Sequence, residues 1–211
     1  MSHTEWWASE SFWRKTAIWV TAGSFVALIF LTLDSMSAIT AGSTRVPAYS
    51  VINHRIDYVF DEKRNFQVPV IGVEEPLFGK KLTEAEAEAL VSRGKLTTQA
   101  KNCMNCHTLL GNGAYYAPDL TKAWLDPSWG SKEVREQMMV DFLMNPQDRL
   151  HNGLGRRMPN LGITEDEARA TVAFLKWMAS IDTNGFPANF TPIDQSDPPA
   201  ESGSPTQQQG G

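Results

Sequence analysis

The sequence predicts an all-α protein: a single N-terminal transmembrane helix, an irregular or short-strand insertion, and then a compact helical domain. Three observations carry that prediction. An uncharged apolar run occupies residues 16–33. Two later segments open with the same Thr-x-x-Glu signature, at Thr83/Glu86 and Thr164/Glu167. Between them, Cys103 and Cys106, the only cysteines, fall within one short polar stretch.

The chain has 211 residues, enough for one domain plus appendages. Its net charge of -5 argues against a nucleic-acid partner, because phosphate binding wants a basic face. Two cysteines separated by two residues cannot form the disulfide framework of a small secreted fold. They are a redox pair, half of a metal site or an attachment point.

A helix over residues 16–33 would span roughly 27 Å at about 1.5 Å per residue, close to the hydrocarbon thickness of a bilayer. Trp6, Trp7, Trp13 and Trp19 gather at its start, as interfacial aromatics do. Arg14 and Lys15 before it and Asp34 after it place residues 1–15 in the cytoplasm, 16–34 in the membrane and the rest outside. A cleaved secretory signal is the alternative. The length of the apolar run and the tryptophan-rich, glutamate-bearing start favour a retained anchor.

Residues 35–82 read as a periplasmic linker or insertion. Within it, "YSVINHRIDYVF" and "NFQVPVIGV" alternate in part, which predicts one or two short strands or an extended segment lying on a partner. His54 lies here and reads as a surface or packing histidine. A domain over residues 83–186 follows. Thr83 and Glu86 form a capping box for its first helix. Gly94 interrupts that helix at a cost of about 1 kcal/mol, which only a close packing contact would explain. "DPSWGS" is a turn, and residues 132–146 form an amphipathic helix with Val134, Met138, Phe142 and Leu143 on its apolar stripe, ended by Pro146. A glycine-rich loop leads to a last helix with the stripe Ala168, Val172, Leu175, Met178 and Ala179. The Pro/Gln-rich tail, residues 187–211, buries too little apolar surface to order itself.

The chemistry sits in Cys103-Met-Asn-Cys106-His107, the C-x-x-C-H pattern of c-type haem attachment. Each thiol adds to one vinyl group of the porphyrin, and the two-residue spacing lets both sulfurs reach one ring edge. The next residue, His107, then lies under the iron and ligates it. Such attachment takes place outside the bacterial cytoplasm, which agrees with the topology. A thioredoxin-like pair would want a βαβ context. A zinc site would want a second ligand pair, and His3, His54 and His151 are scattered singly.

Met158 is the predicted distal ligand. It lies in the glycine-rich loop, followed by Pro159, whereas Met138, Met139, Met144 and Met178 sit in helices where methionine fills core gaps. A thioether on the iron raises the potential and suits electron transfer. His151 is the rival, and with neither bound the iron would be open to a gas. Pro118 and Leu120 read as haem-pocket wall behind Tyr115 and Tyr116. Arg156 and Arg157 are candidates to pair with propionates or with a partner's carboxylates.

Taken together, "RGKL" (93–96), "NCMNCHTLLGNGAYYAPDL" (102–120), "GRRMPNLGIT" (155–164) and "FLKWMASIDTNGFP" (174–187) behind one anchor resemble the small cytochrome c subunit of bacterial, cytochrome-c-dependent nitric oxide reductase. The resemblance implies a class I-like monohaem cytochrome c domain with one covalent haem c, on the periplasmic face of the inner membrane. It implies a non-catalytic, electron-transfer role beside a large multi-span subunit that contains haem b and a haem–non-haem-iron centre and reduces NO to N2O. The donor would be a soluble periplasmic cytochrome c or cupredoxin. His107 and Met158 match the family's axial ligands. Gly113 and Tyr115 match positions whose backbone carbonyls help hold an interface calcium. Residues 45–82 and the tail exceed the family's pattern, which leaves open a related oxygen-reducing haem–copper oxidase. A gas-binding haem sensor is the alternative from a different class.

Overall fold

The structure is a computed structural model and describes residues 6–146 and 157–188. The chain divides into two units, Met1–Val46 and Pro47–Gly211. In the first, a turn at Trp6–Ala8 leads into helix α1, Glu10–Ile39. The helix exceeds the expected 16–34 at both ends, since no proline interrupts residues 10–39. None of its residues is buried, and its most apolar stretch has a mean hydropathy of 2.0, so it is long and apolar enough to cross a membrane. Trp6 packs edge-on against Phe12, and Phe12 against Trp13.

The second unit is mostly helical, and it corrects the all-α expectation in one place. Strands β1 (His54–Asp61) and β2 (Phe66–Glu74) form an antiparallel hairpin, longer than the short strands expected, with a bulge between His54 and Ile56. Nor is the segment from Pro47 a loose linker. Val51, Ile52, Ile56, Tyr58 and Leu77 belong to the same core as the helices that follow, within the unit that begins at Pro47. Polar bonds reinforce this. The Glu84 carboxylate accepts from the amides of Tyr49 and Ser50, Tyr58 Oη donates to the Ala179 carbonyl at 2.6 Å, and Arg64 makes a forked contact to Asp182. His54 is half-buried at the start of β1, opposite Glu74.

Helix α2 (Glu84–Ala100) and the last helix, α4 (Glu165–Ala179), both open with the expected capping box. Thr83 pairs reciprocally with Glu86, and Thr164 with Glu167. After α2 come two very short strands, β3 (Thr108–Leu109) and β4 (Asn112–Gly113), and then helix α3 (Lys132–Met144). Helices α2 and α4 pack tightly against each other at Gly94. A Cβ there would collide with the Ala170 carbonyl and the Phe174 Cβ, both rigid parts of α4. Gly94→Ala is therefore expected to destabilise by about 1–3 kcal/mol through overpacking, although alanine is the better helix former. Thermal unfolding should show a Tm lower by roughly 2–12 °C.

Helix α3 corrects the expected stripe. Met139 and Val140 are buried and Val134 is 48% exposed, while Met138, Phe142 and Leu143 are half-buried. The reason is Arg135, which is 2% exposed. Its guanidinium lies 4.6 Å from the centre of the Trp124 ring and donates to the Trp124 carbonyl, and this turns the helix by about one position. Helix α4 buries its predicted stripe and also Ala170, Thr171, Ala173, Phe174 and Lys176. Lys176 Nζ donates to the Glu75 carbonyl and lies 5.2 Å from the centre of the same Trp124 ring. Burial pulls its pKa down to about 8, against Glu136 and Glu75, which favour the charge.

Candidate haem site

Helix α2 ends at Ala100, and Asn102 takes a left-handed conformation (φ 54) that turns the chain sharply. A tight turn at Cys103–Asn105 follows. The Cys103 carbonyl accepts from the amides of Cys106 (3.1 Å) and His107 (2.9 Å). One turn thus carries both thiols and the imidazole. Both cysteines are free and half-buried, and burial pushes the Cys103 thiol up, so it stays protonated at neutral pH.

The next residues fold back over that turn. β3 and β4 pair around Leu110 (φ 52) and Gly111 (φ 78), the two left-handed residues of a tight hairpin turn. Ala114 N–H donates to the Met104 carbonyl, and Ala117 N–H to the Cys106 carbonyl. Gly113 (φ 125) lies so close to His107 that a Cβ would strike the His107 carbonyl oxygen, which explains the glycine.

The imidazole is oriented by one bond. His107 Nδ1 lies 2.7 Å from the Pro118 carbonyl oxygen. A carbonyl only accepts, so Nδ1 carries a proton, which leaves Nε2 as the ring nitrogen through which a neutral imidazole would bind a metal. The sequence assigned Pro118 to the pocket wall. The structure leaves Pro118 exposed and gives its carbonyl this bond. Leu120 is half-buried against the core. Tyr115 is 81% exposed, with its hydroxyl donating to the Gly111 carbonyl, and Tyr116 is 53% exposed.

Met158 is half-buried and packs against the hydrophobic core. Its segment is tied to the end of α2, because Lys101 Nζ donates to the Gly162 carbonyl at 3.1 Å and pairs with Glu167 at 3.4 Å. Lys101 lies two residues before Cys103, so the loop bearing Met158 and the cysteine turn share an anchor. Arg157 is exposed. His3, His151, Arg156 and most of the tail lie outside the described residues.

The residue types fit covalent haem. Two free thiols and an imidazole with an available nitrogen occupy one turn, and a glycine makes room beside them. Among the described residues no group of three or more His, Cys, Asp and Glu side chains gathers as a metal site. Sequence reasoning missed Asp119, whose carboxylate accepts from Thr108 Oγ1 at 2.6 Å and from the Thr121 amide at 2.8 Å. The Pro-Asp-x-Thr pattern of an Asx turn was the available signal. It also missed Lys122, buried against the end of α4. Its Nζ donates to the Ala179 and Ile181 carbonyls, and burial pulls its pKa down to about 7 against the pull of Asp182 and Asp119.

Residues 91–179 match the cytochrome c family. The C subunit of nitric oxide reductase from Stutzerimonas stutzeri is 35% identical over 117 residues, 54% of this chain and 76% of that relative. Its counterpart from Paracoccus denitrificans is 34% identical over 112 residues, 52% and 73% of the two chains. That from Halomonas halodenitrificans is 30% identical over 105 residues, 49% and 68%. With its motif on one turn and its domain matched along most of the length of these relatives, the chain belongs to the family of nitric oxide reductase C subunits.

Proposed function

We propose that this chain is the membrane-anchored electron-transfer subunit of a nitric oxide reductase. It carries one covalent haem c on Cys103 and Cys106, with His107 and Met158 as axial ligands. The observation that supports this most directly is the His107 ring, oriented by its Nδ1–H bond to the Pro118 carbonyl, beside two free thiols. When bound, the haem supplies a one-electron couple, whose potential a thioether ligand raises.

The chain's own residues hold and insulate. The cysteine turn fixes the porphyrin edge, Pro118 fixes the imidazole plane, and Leu120 joins the wall to the core. α1 anchors the domain at the inner membrane with its second unit in the periplasm. Electrons arrive from a soluble cytochrome c or cupredoxin and leave to a large subunit with haem b and a haem–non-haem-iron centre, where NO becomes N2O. The carbonyls of Gly113 and Tyr115 contribute to an interface calcium.

The test is purification of the full chain from its native membranes. A large subunit with haem and non-haem iron should accompany it, and the complex should consume NO with reduced cytochrome c. Rapid oxygen consumption without NO turnover would assign the chain to an oxidase instead.

A further inference from the structure

We infer that Asp119 positions the haem-ligating imidazole, through a clamp in which its carboxylate holds both ends of the bond between His107 and the Pro118 carbonyl. The inference rests on the haem reading above, and its test separates the two.

The clamp has four bonds. Thr108 Oγ1 donates to Asp119 Oδ2 at 2.6 Å, and the Thr121 amide donates to Oδ1 at 2.8 Å. Thr121 Oγ1 accepts from the Leu110 amide at 2.7 Å, and the Leu120 amide donates to the Thr108 carbonyl at 2.8 Å. Thr108 is 2% exposed and Thr121 is fully buried, so water does not replace these partners freely.

The placement along the chain gives the clamp its effect. Thr108 follows His107 directly, so fixing its side chain fixes the backbone from which the imidazole projects. Asp119 follows Pro118 directly and shares a peptide plane with the Pro118 carbonyl. A planar peptide leaves two soft dihedrals per residue, and proline locks one of them. The direction of the Pro118 carbonyl then depends on where Asp119 sits. One carboxylate thus sets the donor side through Thr108 and the acceptor side through its own backbone. The plain alternative is a turn that stabilises the loop without reaching the ring.

A well-aligned Nδ1–H···O bond makes the imidazole more basic and favours the ferric iron. Loosening it should move the couple toward the ferrous form. Asp119→Asn removes the charge and replaces one oxygen with a donor, so the Thr108 hydroxyl must turn round to accept and both charge-assisted bonds weaken. Thr108→Val removes only the hydroxyl and leaves the charge in place. Thr108→Ser restores the hydroxyl.

The experiment uses the full chain in detergent, as apoprotein and loaded with haem. Solvent exchange of the His107 Nδ1 proton is read by NMR in the apoprotein, which senses the bond without any cofactor. It should become about tenfold faster in Asp119→Asn and Thr108→Val, and stay near the native rate in Thr108→Ser. In the loaded protein, the ferrous-to-ferric ratio at fixed poise should rise at least about threefold in the first two variants, where tenfold corresponds to about 59 mV for a one-electron couple. Native exchange in Thr108→Val, whether or not its Tm falls, overturns the clamp. So does a potential shift confined to Asp119→Asn, which would be a charge effect alone. A native chain with no covalent porphyrin by mass strikes the haem reading, while the exchange rates still decide the clamp.

Discussion

Cys106→Ala is expected to lose one of the two thioether links and most of the haem-loaded protein, leaving a folded apoprotein in its place. The two sulfurs are brought together by backbone bonds from Cys106 and His107 to the Cys103 carbonyl, and these do not involve the thiol itself. Both side chains are only half-buried, so trading one for alanine removes little core. The effect should therefore fall on attachment and leave the fold intact. Intact mass would show loss of the porphyrin increment in most molecules, and a haem stain on a denaturing gel would fade accordingly. Far-ultraviolet circular dichroism should keep its helical amplitude. Full loading in the variant would show that Cys106 takes no part in attachment.

The contrast between attachment and fold also shows what one sequence can reveal. Local rules were legible. Both capping boxes stand where Thr-x-x-Glu placed them, because that signature is satisfied within four residues. Gly94 asked for a close neighbour, and α4 supplies one. The C-x-x-C-H spacing put the site on one turn, since its geometry is set by adjacent residues.

What failed depended on distant partners. Lys176 and Arg135 look like solvated charges, yet each is buried because it finds Trp124 and a backbone carbonyl contributed from elsewhere. That rotated α3 off its expected stripe. The hairpin joined the domain core through Ile56 and Tyr58, whose alternation was visible, whereas the partner of Tyr58, the Ala179 carbonyl at the end of α4, was not. At the site, Pro118 was read as pocket wall and the bond of its carbonyl to His107 went unseen, because a backbone carbonyl leaves no mark in residue type. Asp119 escaped for a related reason: its partners, Thr108 and Thr121, come together only once the loop has closed.

Met158→Ala should produce the second large effect, and on a different observable from Cys106→Ala. On the proposed reading, covalent attachment lies wholly in the cysteine turn, so the variant should keep its porphyrin by mass. The thioether is the only part of the side chain that can bind iron, and its loss removes the ligand that favours the ferrous state. The ferric-to-ferrous ratio at fixed poise should rise by about tenfold to a hundredfold, each tenfold being about 59 mV for a one-electron couple. The weak long-wavelength band of thioether-ligated ferric haem should vanish, and carbon monoxide should bind the ferrous form without displacing a protein ligand. Stability should fall modestly, by about 1–2 kcal/mol, because Met158 is half-buried against the core and its segment stays tied down by Lys101 at Gly162. Met158→His separates ligation from packing. It fills the space and offers a nitrogen, so the iron should remain six-coordinate at a lower potential. If the native protein instead lacks that band and the alanine variant keeps the native spectrum and potential, the sixth position belongs to another side chain, with His151 the first to replace. The iron would then be a bis-histidine centre of low potential rather than a high-potential electron carrier.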